Sequence, residues 1–250
     1  YANSLIEGTL RDYLGTIADS QKKLEEHLAR RGSIKAVSKV NALYKYEIEK
    51  YIYIRDRLRD MLKNSDSYTE DNWQKLMLEF LLLLFPKYVA ILENVHIKDY
   101  YSKPDVSSNR FIDLTLVDVN GNIDIIEIKK PFINCLLSQH KYRDNYTPRK
   151  ELSGSVIQAE KYIFHLNKWG VEGEKEINRK RSKEIPQGMK IKITNPKAII
   201  VLGRDNDFKE DQLFDFEIIK RKYANIMDIM TYDDLLGRLE NIITRFKMTP

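Results

Sequence analysis

Cysteine is all but missing: Cys135 is the only one in 250 residues, so an internal disulfide framework is excluded. No CxxC or HExxH suggests a structural or catalytic zinc. Glycine (10) and proline (7) are sparse, which excludes collagen-like and low-complexity chains. Long apolar runs are lacking too. The longest, Phe80 to Phe85, falls far short of the roughly 20 residues a bilayer crossing needs. No secretory apolar segment opens the chain, and a cytoplasmic setting without membrane partners is expected. The first residue is Tyr1, not Met, which leaves upstream residues open. Charge of a single sign is absent: 42 Lys and Arg oppose 37 Asp and Glu, a net +5 that permits a polyanion partner without requiring one.

What is present is a globular composition, 42% hydrophobic and 32% charged, with room for one large domain plus an appendage. Leu10, Leu14, Ile17, Leu24 and Leu28 recur at helical steps, Gly32 and Ser33 interrupt them, and Ile48, Ile52, Arg55, Leu58 and Leu62 continue a second stripe. Residues 1–66 are therefore read as a helical hairpin whose apolar stripes need a partner, with self-association favoured. The polar stretch from Asn64 to Ser67 marks the boundary to a mixed α/β region over 67–250. There, a helix over 69–85, a strand over 89–97, strands over 111–118 and 123–129 flanking Asn120-Gly121, and a helix over 152–169 are expected. Residues 171–195 read as a long charged loop, in which Arg179, Lys180 and Arg181 could track phosphates. A strand over 197–202, a helix over 209–222, a strand over 226–230 and a final helix capped by Thr231 with Asp234 follow.

Chemistry concentrates in the hairpin of the two middle strands. The period of two puts Ile125, Glu127 and Lys129 on one face, and Asp113 faces the same way as Thr115 and Val117 on the partner strand. Carboxylates there are hard oxygen ligands suited to Mg²⁺, with an ammonium beside the attacking water. Isoleucines at 123, 125, 126 and 128 make the strand look buried on both faces, so an acid and a lysine in it need a reason. Gln158 and Tyr162, four apart on a helix, share a face that His165 extends. Glu70 and Glu79 are candidate acids on the preceding helix; nine residues apart, they point to opposite faces, and Glu70 is favoured. Tyr142 and Arg143, in a basic aromatic loop, are candidate nucleic-acid contacts.

A helix, an acid-bearing strand, an E-x-K strand and a helix with Q-x-x-x-Y resemble the PD-(D/E)XK nuclease superfamily. The ordered set Glu70-x-x-Trp73-Gln74, Asp113, Glu127-Ile128-Lys129-Lys130-Pro131, Leu152-Ser153 ahead of Gln158-x-x-x-Tyr162, Ile199 to Arg204 and Thr231 to Leu236 is similar to the Shedu family of prokaryotic anti-phage defence nucleases. The resemblance covers about residues 67–245. It implies an α/β fold with a restriction-endonuclease-like core: a mixed central sheet flanked by helices. It also implies Asp113 and Glu127 as ligands of Mg²⁺ or Mn²⁺, joined by the Ile128 carbonyl and Glu70. Lys129 would be the catalytic lysine, and Glu70, Gln158 and Tyr162 would complete the site. Asp105, in the literal Pro104-Asp105 pair, is the competitor to Asp113. The implied activity is metal-dependent DNA endonuclease cleavage by a homo-oligomer, a tetramer by resemblance. A non-catalytic nucleic-acid-binding scaffold and a restriction or junction-resolving nuclease are the alternatives.

Overall fold

A computed structural model describes residues 36–99 and 108–248. The hairpin's first helix, its Gly32-Ser33 break and Pro104-Asp105 lie outside the described residues. The chain falls into two compact units, one of residues up to Ile52 with those from Ile243 onward, the other of Tyr53–Ile242. Helix α1, Ala36–Lys63, carries the second apolar stripe, and Leu58, Met61 and Leu62 are buried in its C-terminal half. A single 3₁₀ turn, Ser65–Ser67, separates it from α2, Glu70–Leu84. Thr69 caps α2 by accepting from the Asn72 amide, while the Asn72 side chain accepts from Thr69 N–H in return.

One five-stranded sheet, in the order β1-β2-β3-β4-β5, organises the larger unit. Strands β1 (Tyr88–Asp99), β2 (Ser108–Asp118) and β3 (Ile123–Ile128) form an antiparallel meander. β4 (Ala198–Val201) and β5 (Met227–Met230) continue it in parallel with β3. Parallel neighbours need crossovers. Helix α3 (Lys150–Arg181) lies between β3 and β4, and α4 (Glu210–Tyr223) between β4 and β5. The last helix, α5 (Tyr232–Met248), begins with the capping box expected of Thr231 and Asp234, whose reciprocal hydrogen bonds are each 2.9 Å. The fold is thus α/β, a mixed sheet flanked by helices.

Asn120-Gly121 does turn the β2–β3 hairpin, within a loop of residues 119–122. Asp118 Oδ1 accepts from the amides of Asn120 and Asn122. Gly121 adopts φ +84, and a Cβ there would meet the Lys190 carbonyl at 2.0 Å. β3 is buried at all six positions, as a strand covered on both faces should be. Ile123 and Ile125, with Ala198 and Ile200 of β4, join Leu152, Val156, Ala159 and Leu166 of α3 in the core. α2 packs against β1 and β3.

One expectation fails. Residues 171–181 are not loop: α3 runs through them, bending at Gly170, whose φ of 45 and ψ of −128 are not helical. Gly173 and Ile177 are buried on this second segment, so its packing outweighs the charge run that suggested a loop. Arg179, Lys180 and Arg181 form its last turn, where cations oppose the helix dipole. Lys180 pairs with Glu176 at 2.6 Å, and Arg181 with Glu184 and the carbonyls of Glu93 and Asn94. The cluster is a helix terminus tied to the sheet.

Candidate active site

β3 ends where α2, α3 and α5 converge on it. Pairing of Leu114 with Ile126 and of Thr115 with Ile125, continued by one step, sets Asp113 across from Glu127. Glu127 is 1% exposed. Lys129 follows it on the same face, and its ammonium reaches Glu127 Oε1 at 2.7 Å and Glu70 Oε1 at 2.9 Å. Only the Glu70 contact has hydrogen-bond geometry, which leaves Glu127 Oε1 buried with an ion pair but no donor aimed along a lone pair. Gln74, one turn after Glu70 on α2, donates through Nε2 to Asp113 Oδ2 at 3.2 Å.

Gln158 and Tyr162 bring α3 to the same group. Gln158 Nε2 donates to the Tyr162 hydroxyl oxygen at 3.0 Å, so the phenol proton is free to be given elsewhere. Burial raises the Tyr162 pKa, the Gln158 hydrogen bond opposes that rise, and the charges of Glu127 and Asp113 add to it. Glu70, Asp113, Glu127, Lys129, Gln158 and Tyr162 are therefore brought together by two strands and two helices, β2, β3, α2 and α3. Glu79 is not among them; it is paired with Arg57. His165 turns instead to Asp99 on β1, with Nε2 3.4 Å from Oδ1. Tyr142 and Arg143 lie exposed in the β3–α3 loop.

Burial pushes the Glu127 carboxyl above the usual glutamate range; the Lys129 ammonium resists this, while Asp113 and Glu70 reinforce it. For Lys129, burial disfavours the ammonium, but the adjacent carboxylates of Glu127 and Glu70 outweigh it. The pKa is raised, and the lysine stays protonated. Cys135 has burial as its main influence, pushing the thiol up to about 11, so it is inert as a nucleophile at neutral pH.

Two supporting contacts have no local sequence signal. Tyr232, fully buried at the start of α5, donates its hydroxyl to the Lys129 carbonyl at 2.7 Å. Its ring meets Trp73 of α2 edge-on, 4.9 Å between centroids. Residues 103 positions apart cannot be linked by spacing. Gln74, named in the run Glu70-x-x-Trp73-Gln74, shares the face of Glu70 at i+4. Arg204 adds a bidentate pair to Asp233, at 2.8 and 2.7 Å, tying the end of β4 to the first turn of α5.

Among the described residues, no group of three or more His, Cys, Asp or Glu side chains is arranged to hold a metal ion. Two facing carboxylates and a buried Glu127 oxygen lacking a donor still suit Mg²⁺, which binds through one or two carboxylates and keeps several waters. No described helix is long and apolar enough to cross a membrane.

The model of the C-terminal region of Shedu protein SduA matches residues 67–236, more than half of the chain. The chain belongs to the Shedu family. The match spans α2 through the first turn of α5, and so contains every residue of the cluster around Lys129. Among curated proteins, none matches this Shedu chain.

Proposed function

We propose that this Shedu protein is a metal-dependent DNA endonuclease of prokaryotic anti-phage defence, with a PD-(D/E)XK site at the end of β3. The observation that carries the reading is a buried glutamate and a lysine, two residues apart on a central strand, facing an aspartate on the neighbouring strand. Placing a carboxylate in a strand covered on both faces, with an aspartate facing it from β2 and an ammonium just past its end, costs stability, and function is the usual reason for such a cost. Asp113, Glu127 and the Ile128 carbonyl would hold Mg²⁺ or Mn²⁺, with Glu70 beside them. A bound divalent cation supplies Lewis-acid stabilisation of the scissile phosphate.

Lys129 is held protonated, so its first role is electrostatic: the ammonium offsets charge growing on the phosphoryl oxygens and orients the attacking water. Tyr162, whose hydroxyl oxygen already accepts from Gln158, can donate its proton to a phosphate oxygen. Water adds to phosphorus as the bond to the 3′ oxygen breaks, and a proton passes to that oxygen. The products are a 5′-phosphate and a 3′-hydroxyl. The N-terminal hairpin, over 1–66, is proposed as the oligomerisation element of a homo-oligomer, a tetramer by family resemblance.

Plasmid cleavage with and without Mg²⁺ tests the reading. Asp113→Ala and Glu127→Ala should each abolish Mg²⁺-dependent cutting while circular dichroism stays native. Ca²⁺ should permit binding with little cutting, because its geometry is looser. A double variant that cuts at the wild-type rate would remove these residues from the site. A wild-type chain that binds DNA and never cuts it would favour the scaffold alternative.

A further inference from the structure

The β3–α3 connection starts at Lys129 itself and is far from featureless. Between Lys129 and Lys150 it holds six cations, Lys129, Lys130, Lys141, Arg143, Arg149 and Lys150, against one acid, Asp144. It also displays apolar side chains to solvent: Phe132 is 49% exposed, Ile133 62% and Tyr142 62%. Each of the two exposed rings carries a cation. Lys130 Nζ lies 5.2 Å from the Phe132 centroid, and Arg143 Cζ 5.4 Å from that of Tyr142.

The presentation is rigid. Cys135, Leu136 and Leu137 are buried in the core beneath the loop. Ser138 N–H donates to the Thr147 carbonyl at 2.8 Å, Arg149 N–H to Leu136 at 2.9 Å, and Tyr146 N–H to Asp215 Oδ2 at 2.7 Å. The tip closes between Tyr142 and Asn145 with Arg143 and Asp144 both at positive φ, 47 and 65. An open cleft of about 430 Å³ at its base is lined by Ser138, Gln139, His140, Pro148, Arg149 and Lys150. Exposed aromatic rings backed by guanidinium and ammonium groups on a pinned, cationic loop match the chemistry of unpaired bases and their phosphates. Lys129 is paired with Glu127 and Glu70 and Lys141 with Asp211, so the loop's charge toward phosphates rests on Lys130, Arg143, Arg149 and Lys150.

We infer that this loop is a base-stacking platform for single-stranded DNA: Phe132 and Tyr142 stack on unpaired bases while Lys130, Arg143, Arg149 and Lys150 take the phosphates. It deepens the nuclease reading and rests on it in one respect, that the substrate entering the site beside Lys129 carries an unpaired stretch.

Fluorescence polarisation of the full chain, without divalent cation, provides the test. The probes are a labelled single-stranded oligodeoxynucleotide and a duplex closed at both ends by hairpin loops joined through a non-nucleotide spacer. Phe132→Ala and Tyr142→Ala should each weaken binding of the single strand by about 5- to 100-fold and leave its salt dependence unchanged. Binding of the closed duplex should change by less than about 2-fold. Arg143→Ala should instead flatten the salt dependence by roughly one phosphate contact. Wild-type affinity in both aromatic variants, or equal losses on both probes, overturns the inference. If the aromatic variants behave as expected but the wild-type chain never cuts DNA with Mg²⁺, the nuclease reading falls and the platform stands. If the wild type cuts and the variants bind normally, the platform falls alone.

Discussion

Replacing Lys129 with methionine removes the ammonium and keeps most of the side-chain volume. At 2.7 Å and an effective dielectric near 20, the gross attraction between Lys129 and Glu127 is about 6 kcal/mol, much of it offset by desolvation. Removing one member of a buried pair typically costs about 3–5 kcal/mol, because the other charge is left uncompensated. The lysine side chain is 27% exposed, so water recovers part of this, and about 2–3 kcal/mol is expected near pH 8. Glu127 has an escape: it can take a proton, and its pKa already lies above the usual range through burial. A carboxyl raised in the folded state costs stability as pH climbs from its unfolded value through its folded one. The deficit of Lys129→Met should therefore shrink as pH falls from about 8 toward about 5.5. Adding Glu127→Gln to Lys129→Met should recover most of the loss, since no buried charge remains. Urea unfolding in chelator at the two pH values measures all three variants. A deficit independent of pH, or a double variant no more stable than Lys129→Met, would refute the account of Glu127 as a buried charge balanced by this lysine.

Tyr232→Phe removes only the hydroxyl that donates to the Lys129 carbonyl, leaving a buried acceptor unpaired; about 1–3 kcal/mol should be lost in urea unfolding, with slower single-turnover cleavage at unchanged DNA affinity. Glu70→Gln should lower cleavage more than Glu79→Gln, because Glu70 touches Lys129 whereas Glu79 pairs with Arg57; the opposite ranking in a rate assay would exchange their roles. Asp205 has its pKa raised to about 6, chiefly by burial and then by Asp234 and Asp233, against a lowering hydrogen bond from Thr231. Its contribution therefore falls as pH rises from about 4 to about 6, and Asp205→Asn should make the thermal midpoint relatively higher above that window. Gly121→Ala forces an L side chain at φ +84 into the Lys190 carbonyl and should lower stability by at least about 2 kcal/mol, read by thermal unfolding.

Most of the architecture was legible because it depends on local periodicity. Alternating and continuous isoleucines announced β3, Asn120-Gly121 announced its hairpin, and Thr231 with Asp234 announced the start of α5. The extent of α3 was misread for a physical reason. In residues 171–181 charge outnumbers apolar side chains, and the few that matter, Gly173 and Ile177, are buried by tertiary packing rather than by any strong stripe. The basic cluster at Arg179 to Arg181 looked like a free arm because its acceptors, Glu176 apart, lie in other segments or beyond the helix end. The strand length of β1 was likewise underestimated, since its pairing with β2, not its own pattern, extends it to Asp99.

The candidate site divides along the same line. Residue type and spacing made Asp113, Glu127, Lys129, Gln158 and Tyr162 candidates, because a period of two and a period of 3.6 decide which side chains share a face, and the family resemblance joined them into one site. That Glu127 and Lys129 interact at all is a property of a single strand. Whether Glu70 or Glu79 joins them could be narrowed only to opposite faces of one helix; the packing of α2 on β1 and β3 decides which face meets the sheet. Only the tertiary structure brings Tyr232 to the Lys129 carbonyl and Gln74 to Asp113, since those contacts join segments whose separation in the chain carries no information about distance. The same holds for the charge state of Lys129. Its sequence neighbours supply one carboxylate, and a second comes from α2; together they keep the proton on it against burial, which disfavours the ammonium.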